Sequence, residues 1–135
     1  MIGGIGVDLA DVARTGSLIE RFGRRFTGRV FTDGEIGYCE RRKDPASSFA
    51  ARFAAKEAAM KALGKGWGSG IRFKEIEVEA GERPSLKLHG GAQAEAYRQG
   101  VERIHVSMSH ERQTAMAQVV TEIFRPENEN GMDIR

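Results

Sequence analysis

The stretch SFAARFAAKEAAMKALGKGWGSG, residues 48–70, limits the possible folds more than any other part of the chain. At about 100° per residue, Phe49, Phe53, Met60 and Leu63 share one arc of a helix over 49–63, with Lys56 in the same arc. The opposite side is Ala51, Ala54, Ala55, Ala58 and Ala62, where a surface helix would carry charge. A helix apolar on both sides must be covered on both sides, so the expectation is a central helix. Lys56 must then snorkel out or meet a partner.

Glu57 and Lys61 lie at the margin between the two faces, one turn apart. An ion pair at this spacing stabilises an isolated helix by about 0.2–0.5 kcal/mol and would account for both residues. A buried carboxylate, however, needs a cation or donors to offset its desolvation, and either Lys61 or a metal can serve. Asp8 supplies a second carboxylate after IGGIGV. Read alone it is a turn or capping residue. Two carboxylates from separate glycine-rich segments also suit Mg²⁺, which takes one or two carboxylates, several waters and substrate phosphates. The GKGWGSG loop would offer backbone N–H groups and Lys65 to such phosphates.

Around the central helix the chain reads as a strand over 2–7, ended by Asp8 and weakened by Gly3, Gly4 and Gly6. Glycine in a strand marks close approach of another backbone or a ligand. Asp11 caps a helix to about Phe22, with Gly23 as its stop. TDGE at 32–35 is a capping box for a helix to about Lys43. IRFKEIEVEA, 71–80, reads as a strand whose phase slip between Phe73 and Ile76 fits a bulge. GERP and SLKLH complete a hairpin, and residues 90–100 form a helix between glycines. RIHVSMSH alternates with Ile104, Val106 and Met108 on one face and His105, Ser107 and Ser109 on the other. A last strand covers 114–124, and 125–135 is a polar tail expected to be flexible. The order predicts one α+β domain over 1–124, with a mainly antiparallel sheet against the long central helix.

Several functional classes are excluded. No run of 18 apolar residues predicts a membrane span, and the N-terminus lacks the basic region of a signal peptide. Cys39 is the only cysteine, which rules out an internal disulfide and fits a reducing cytoplasm. GGIGVDL lacks the third glycine of a dinucleotide fingerprint, and no Walker A sequence occurs. His105 and His110 have no metal-ligand spacing for zinc. Ser107 or Ser109 beside a histidine could be a nucleophile, but serines on a polar strand face are more often surface or ligand-binding groups. Residues 1–70 hold 12 Lys/Arg against 8 Asp/Glu, +4, whereas 71–135 hold 9 against 11, −2. The basic half points to an acidic partner or a phosphate-bearing ligand. Its basic residues sit on one helix and a loop with no aromatic cluster, which disfavours nucleic acid.

IGVDLADVAR, FAARFAAKEAAMKALGKG and IHVSMSH, in that order, resemble the holo-acyl-carrier-protein synthases, the short single-domain type of 4′-phosphopantetheinyl transferase. The resemblance extends to about residue 124. It implies that fold, and transfer of phosphopantetheine from coenzyme A to a serine of an acyl carrier protein with release of adenosine 3′,5′-bisphosphate. It makes Asp8 and Glu57 magnesium ligands and Lys61 a phosphate contact. It sets Arg52, Gly64, Pro84, His105 and Ser107 against the coenzyme, although GERP has one residue more than the family's turn. It makes the helix bearing Arg14, Leu18 and Arg21, with Arg24 after it, the docking face for the acidic carrier. It also implies a cytoplasmic homotrimer with sites at subunit boundaries. The base for the serine proton is left between Glu57 and a water on a metal held by Asp8. A nucleotide-binding module without chemistry, or a purely structural protein, are the rival readings.

Overall fold

The structure, a computed structural model, describes residues 1–66 and 69–124. Its centre is helix α4, Pro45–Ala62, which begins four residues earlier than the sequence reading has it. Asp44 caps it by accepting from the Ser47 N–H, and Pro45 takes a first-turn position where the missing N–H costs nothing. Ala50, Ala51, Ala54, Ala55, Ala58, Ala59 and Ala62 are all buried. Their small side chains let a three-stranded sheet approach the helix closely.

That sheet has the order β1 (Ile2–Asp11), β5 (Thr114–Ile123), β4 (Val101–His110), antiparallel throughout. The alanine face of α4 is therefore covered by the chain's own sheet, as expected of a central helix. The predicted alternation of β4 holds, with Ile104, Val106 and Met108 partly buried and His105, Ser107 and Ser109 exposed. A separate hairpin pairs β2 (Ile76–Glu79) with β3 (Ser85–Leu88).

The other side of α4 is closed by α1 (Val12–Phe22), α2 (Arg24–Val30) and α3 (Asp33–Glu40), with Phe31, Ile36, Cys39 and Phe49 in a second core. Asp11 caps α1 and Thr32 forms the expected capping box with Glu35. α2 is absent from the sequence reading, and α3 ends at Glu40 rather than Lys43. The phase slip before Ile76 is a 3₁₀ turn, Phe73–Glu75, not a bulge. α5 (Gly90–Gln99) ends at Gly100, left-handed at φ 75°. The polar tail, 125–135, lies outside the described residues.

Lys56 turns inward and meets a partner. Its Nζ donates to Glu35 Oε1 at 2.8 Å and to the Phe73 and Ile76 carbonyls, and both side chains are wholly buried. Burial pushes the Lys56 ammonium pKa down, and Glu35 opposes that shift. The other Glu35 oxygen accepts from the Val78 N–H, so one carboxylate ties α3, α4 and β2 together.

Candidate active site

Strand β1 runs past Asp8 to Asp11, so Asp8 is a mid-strand residue rather than the strand end. Gly6 and Ala10 are buried toward α4 while Ile5, Val7 and Leu9 face out, which puts Asp8 on the helix side. The glycines make the approach possible. A Cβ on Gly6 would lie 1.9 Å from the Ala58 carbonyl oxygen, and one on Gly4 1.8 Å from that of Ala62. Strand backbone thus rests on helix backbone, at the turn that carries Lys61.

Lys61 Nζ donates to Asp8 Oδ1 at 2.8 Å and to the Val7 carbonyl at 3.1 Å. Its salt bridge is with Asp8 and not, as helix spacing alone would have it, with Glu57. Glu57 sits beside Asp8, half-buried. Desolvation foremost, then the hydrogen bond and negative charge of Asp8, raise its pKa to about 7, with Lys61 pulling the other way. The bond to Asp8 in turn raises the Lys61 pKa. Asp8, Glu57 and Lys61 therefore meet. Two carboxylates crowd each other, and one of them stays half-protonated near neutrality. A divalent cation would relieve this by holding both ionised. No third His, Cys, Asp or Glu joins them among the described residues.

Arg52, Pro84, His105 and Ser107 gather elsewhere, while Gly64 stays beside Lys61 at the end of α4. Arg52 and Pro84 line a cavity of about 420 Å³ together with Tyr38, Arg42 and His110. Pro84 also lines a neighbouring cavity of about 440 Å³, with Arg83, His105 and Ser107. The longer GERP turn thus still delivers Pro84 beside the strand residues. His105 Nε2 lies 3.1 Å from Glu122 Oε2. Gly64 follows α4 with φ 70°, its N–H donating to the Lys61 carbonyl at 3.0 Å. The loop beyond it is described except for Trp67 and Gly68.

These two groups do not meet within one chain. Arg52 and Lys61 are nine residues apart on α4, which at about 100° each sets them on opposite sides of the helix. Asp8 lies on the edge strand β1, while His105 and Ser107 lie on the other edge strand, β4, and on the opposite face of the sheet. On α1, Arg14 and Arg21 are exposed with Leu18 half-buried between them, and Arg24 forms an ion pair with Glu40 at 3.6 Å. Tyr38 and Arg42 were not among the sequence candidates, and His110 was weighed there only for zinc and as a partner to a serine. Tyr38 lies fourteen positions from Arg52, and only tertiary packing of α3 on α4 joins them.

The family model described as the 4′-phosphopantetheinyl transferase superfamily matches residues 4–124. The chain belongs to this superfamily. It is 47% identical over 124 residues to a holo-[acyl-carrier-protein] synthase of Koribacter versatilis, covering 90% of this chain and 99% of the relative. Among solved structures it is similar to the holo-[acyl-carrier-protein] synthase of Neisseria meningitidis, at TM-score 0.80 and 36% identity over 90% of this chain and 99% of that one. The Helicobacter pylori holo-[acyl-carrier-protein] synthase, solved in complex with coenzyme A, matches at TM-score 0.77 and 30% identity over 87% and 99%. The α+β architecture of these synthases is the one described above.

Proposed function

We propose that this chain transfers the 4′-phosphopantetheine group of coenzyme A to a serine of an apo acyl carrier protein, releasing adenosine 3′,5′-bisphosphate. The observation that carries the reading is the convergence of Asp8, Glu57 and Lys61 in a chain that the family model matches from 4 to 124. The serine oxygen forms a bond to phosphorus, the bond from that phosphorus to the bisphosphate breaks, and the serine proton leaves. Catalysis of such a step rests on positioning and on stabilising spreading negative charge. Asp8 and Glu57 would hold Mg²⁺, which when bound neutralises pyrophosphate charge. Lys61, held by Asp8 and the Val7 carbonyl, brings a further positive charge to the same place. Glu57, the half-buried carboxylate beside Asp8, is the base in this reading.

Arg52, Gly64, Pro84, His105 and Ser107 would hold the coenzyme, and Arg14, Leu18, Arg21 and Arg24 would dock the acidic carrier. Since the carboxylate group and the nucleotide cavities diverge within one chain, a coenzyme touching both requires a second copy. The outer sheet face offers the contact, for Ile5, Val7, Leu9 and Met116 are exposed there at 43–63%. The family resemblance makes that assembly a homotrimer with shared sites. Among the described residues no helix is long and apolar enough to cross a membrane, and the reading assigns the enzyme to the cytoplasm.

Calorimetric titration with coenzyme A tests the metal site. Affinity is expected to drop at least about tenfold in EDTA or in Asp8→Ala. Equal affinity with and without Mg²⁺ would leave a coenzyme-binding module without this chemistry.

A further inference from the structure

We infer that Tyr38 is a positioning residue of the nucleotide cavity, its ring holding Arg52 and Arg42 in place for phosphate oxygens of the coenzyme. The inference rests on the coenzyme reading above. The guanidinium carbon of Arg52 stands 4.4 Å from the Tyr38 ring centroid and that of Arg42 stands 5.3 Å from it. All three residues line the same cavity.

Arg52 is 6% exposed. Its Nη1 donates to Ser48 Oγ at 3.1 Å, and that hydroxyl donates to Cys39 Sγ at 3.3 Å. Its Nε is buried and has no hydrogen-bond partner among the described residues. A buried charged donor left unsatisfied is costly, and it leaves the Arg52 guanidinium without a hydrogen bond that would otherwise fix it. Among the described residues no carboxylate forms an ion pair with Arg52. Asp44, the acid in the cavity wall, has its oxygens taken by the Ser47 N–H at 3.3 Å and the Ser47 hydroxyl at 2.6 Å. Arg42 adds a second planar fork of donors and His110 a third polar group, so the cavity is built for an anion with several oxygens.

Two guanidiniums repel each other, and each has rotamer freedom to lose on binding a ligand. The negative face of an aromatic ring attracts both and removes that freedom beforehand. Tyr38 is itself held. Glu35 lies one turn before it on α3, Lys56 lies one turn after Arg52 on α4, and the two form the buried ion pair. That pair sets the register of α3 on α4 and hence the height of the ring over Arg52.

The test compares Tyr38→Leu with Tyr38→Phe. Tyr38→Leu is expected to raise the Kd and KM for coenzyme A about tenfold, with kcat within about twofold. The carrier-protein KM stays unchanged, and Tyr38→Phe, which keeps the ring, restores coenzyme affinity. A purely structural role would instead lower kcat, both KM-based efficiencies and thermal stability together. Coenzyme affinity of folded Tyr38→Leu within about twofold of wild type would overturn the inference while leaving the transferase reading intact. So would a Tyr38→Phe variant as weak as Tyr38→Leu. If Tyr38→Leu does not fold, Arg42→Gln on the exposed rim carries the test, with a several-fold loss of coenzyme affinity expected and none contradicting the two-arginine site. A wild-type protein that does not bind coenzyme A would overturn both readings.

Discussion

Glu57 is the residue whose protonation the fold controls most directly. Its pKa is raised to about 7 from an ordinary 4.5. Between those values the folded protein holds a proton that the unfolded chain has released, so stability is full below about pH 4.5 and falls as pH rises through about 7. In EDTA, the melting temperature of wild type should fall over this window more than that of Glu57→Gln. Mg²⁺ should recover the difference. Identical pH profiles for the two proteins would contradict the crowding of Asp8 on Glu57. Glu57→Gln should also abolish turnover even at saturating Mg²⁺, whereas near-normal turnover would remove both its ligand and its base role. Lys56 is the other charged residue with a large predicted effect. Lys56→Met leaves Glu35 buried without its cation and should cost about 3–5 kcal/mol in urea unfolding, and a loss under about 1 kcal/mol would mean that the pair is dispensable. Asp8, Glu57 and Lys61 each stand out locally in the sequence, a carboxylate beside glycines or a charge on an alanine-rich helix, but only the family resemblance joined them into one candidate site. The Glu35–Lys56 pair was not legible, since twenty-one positions separate its members and the helix spacing shows only that Lys56 points inward.

At the scale of elements, the glycines of β1 decide where the carboxylates go. Gly6→Ala would drive a methyl into the Ala58 carbonyl. The helix cannot yield without breaking its own hydrogen bonds, so β1 must lift away and carry Asp8 from Lys61. A stability loss of about 1–3 kcal/mol, with weakened magnesium-dependent coenzyme binding, is the expected outcome for Gly6→Ala. A variant with wild-type stability and binding would show that the strand has slack. The sequence signalled this contact through glycines in a strand, though not which backbone they meet. It hid α2 because seven residues bury only Thr27 and Val30 there, too few to set a helical period. It misread the approach to β2 because a 3₁₀ turn and a bulge shift the side-chain phase alike. The capping residues Asp11 and Thr32 were readable because capping is a local matter of side chain to backbone.

At the scale of the whole molecule, the two halves of the proposed site point in different directions, and the outer sheet face is apolar along β1. Val7→Asp, on that face, should give a folded monomer by sedimentation and circular dichroism, with transfer activity lost. A fully active monomer would contradict shared sites. On the opposite flank, Arg14→Glu should raise the KM for the carrier protein at low salt and leave that for coenzyme A alone, as expected of an exposed charge that steers association. An unchanged carrier KM would move the docking surface elsewhere. Linear pattern alone gives no assembly, because a strand face covered by another subunit would read as an ordinary strand. The measurement closest to the central claim is the intact mass of an apo acyl carrier protein incubated with this chain, coenzyme A and Mg²⁺. A gain equal to phosphopantetheine, absent in EDTA and with Asp8→Ala, is the predicted result. An unchanged carrier mass with several carriers, despite bound coenzyme, would contradict transfer.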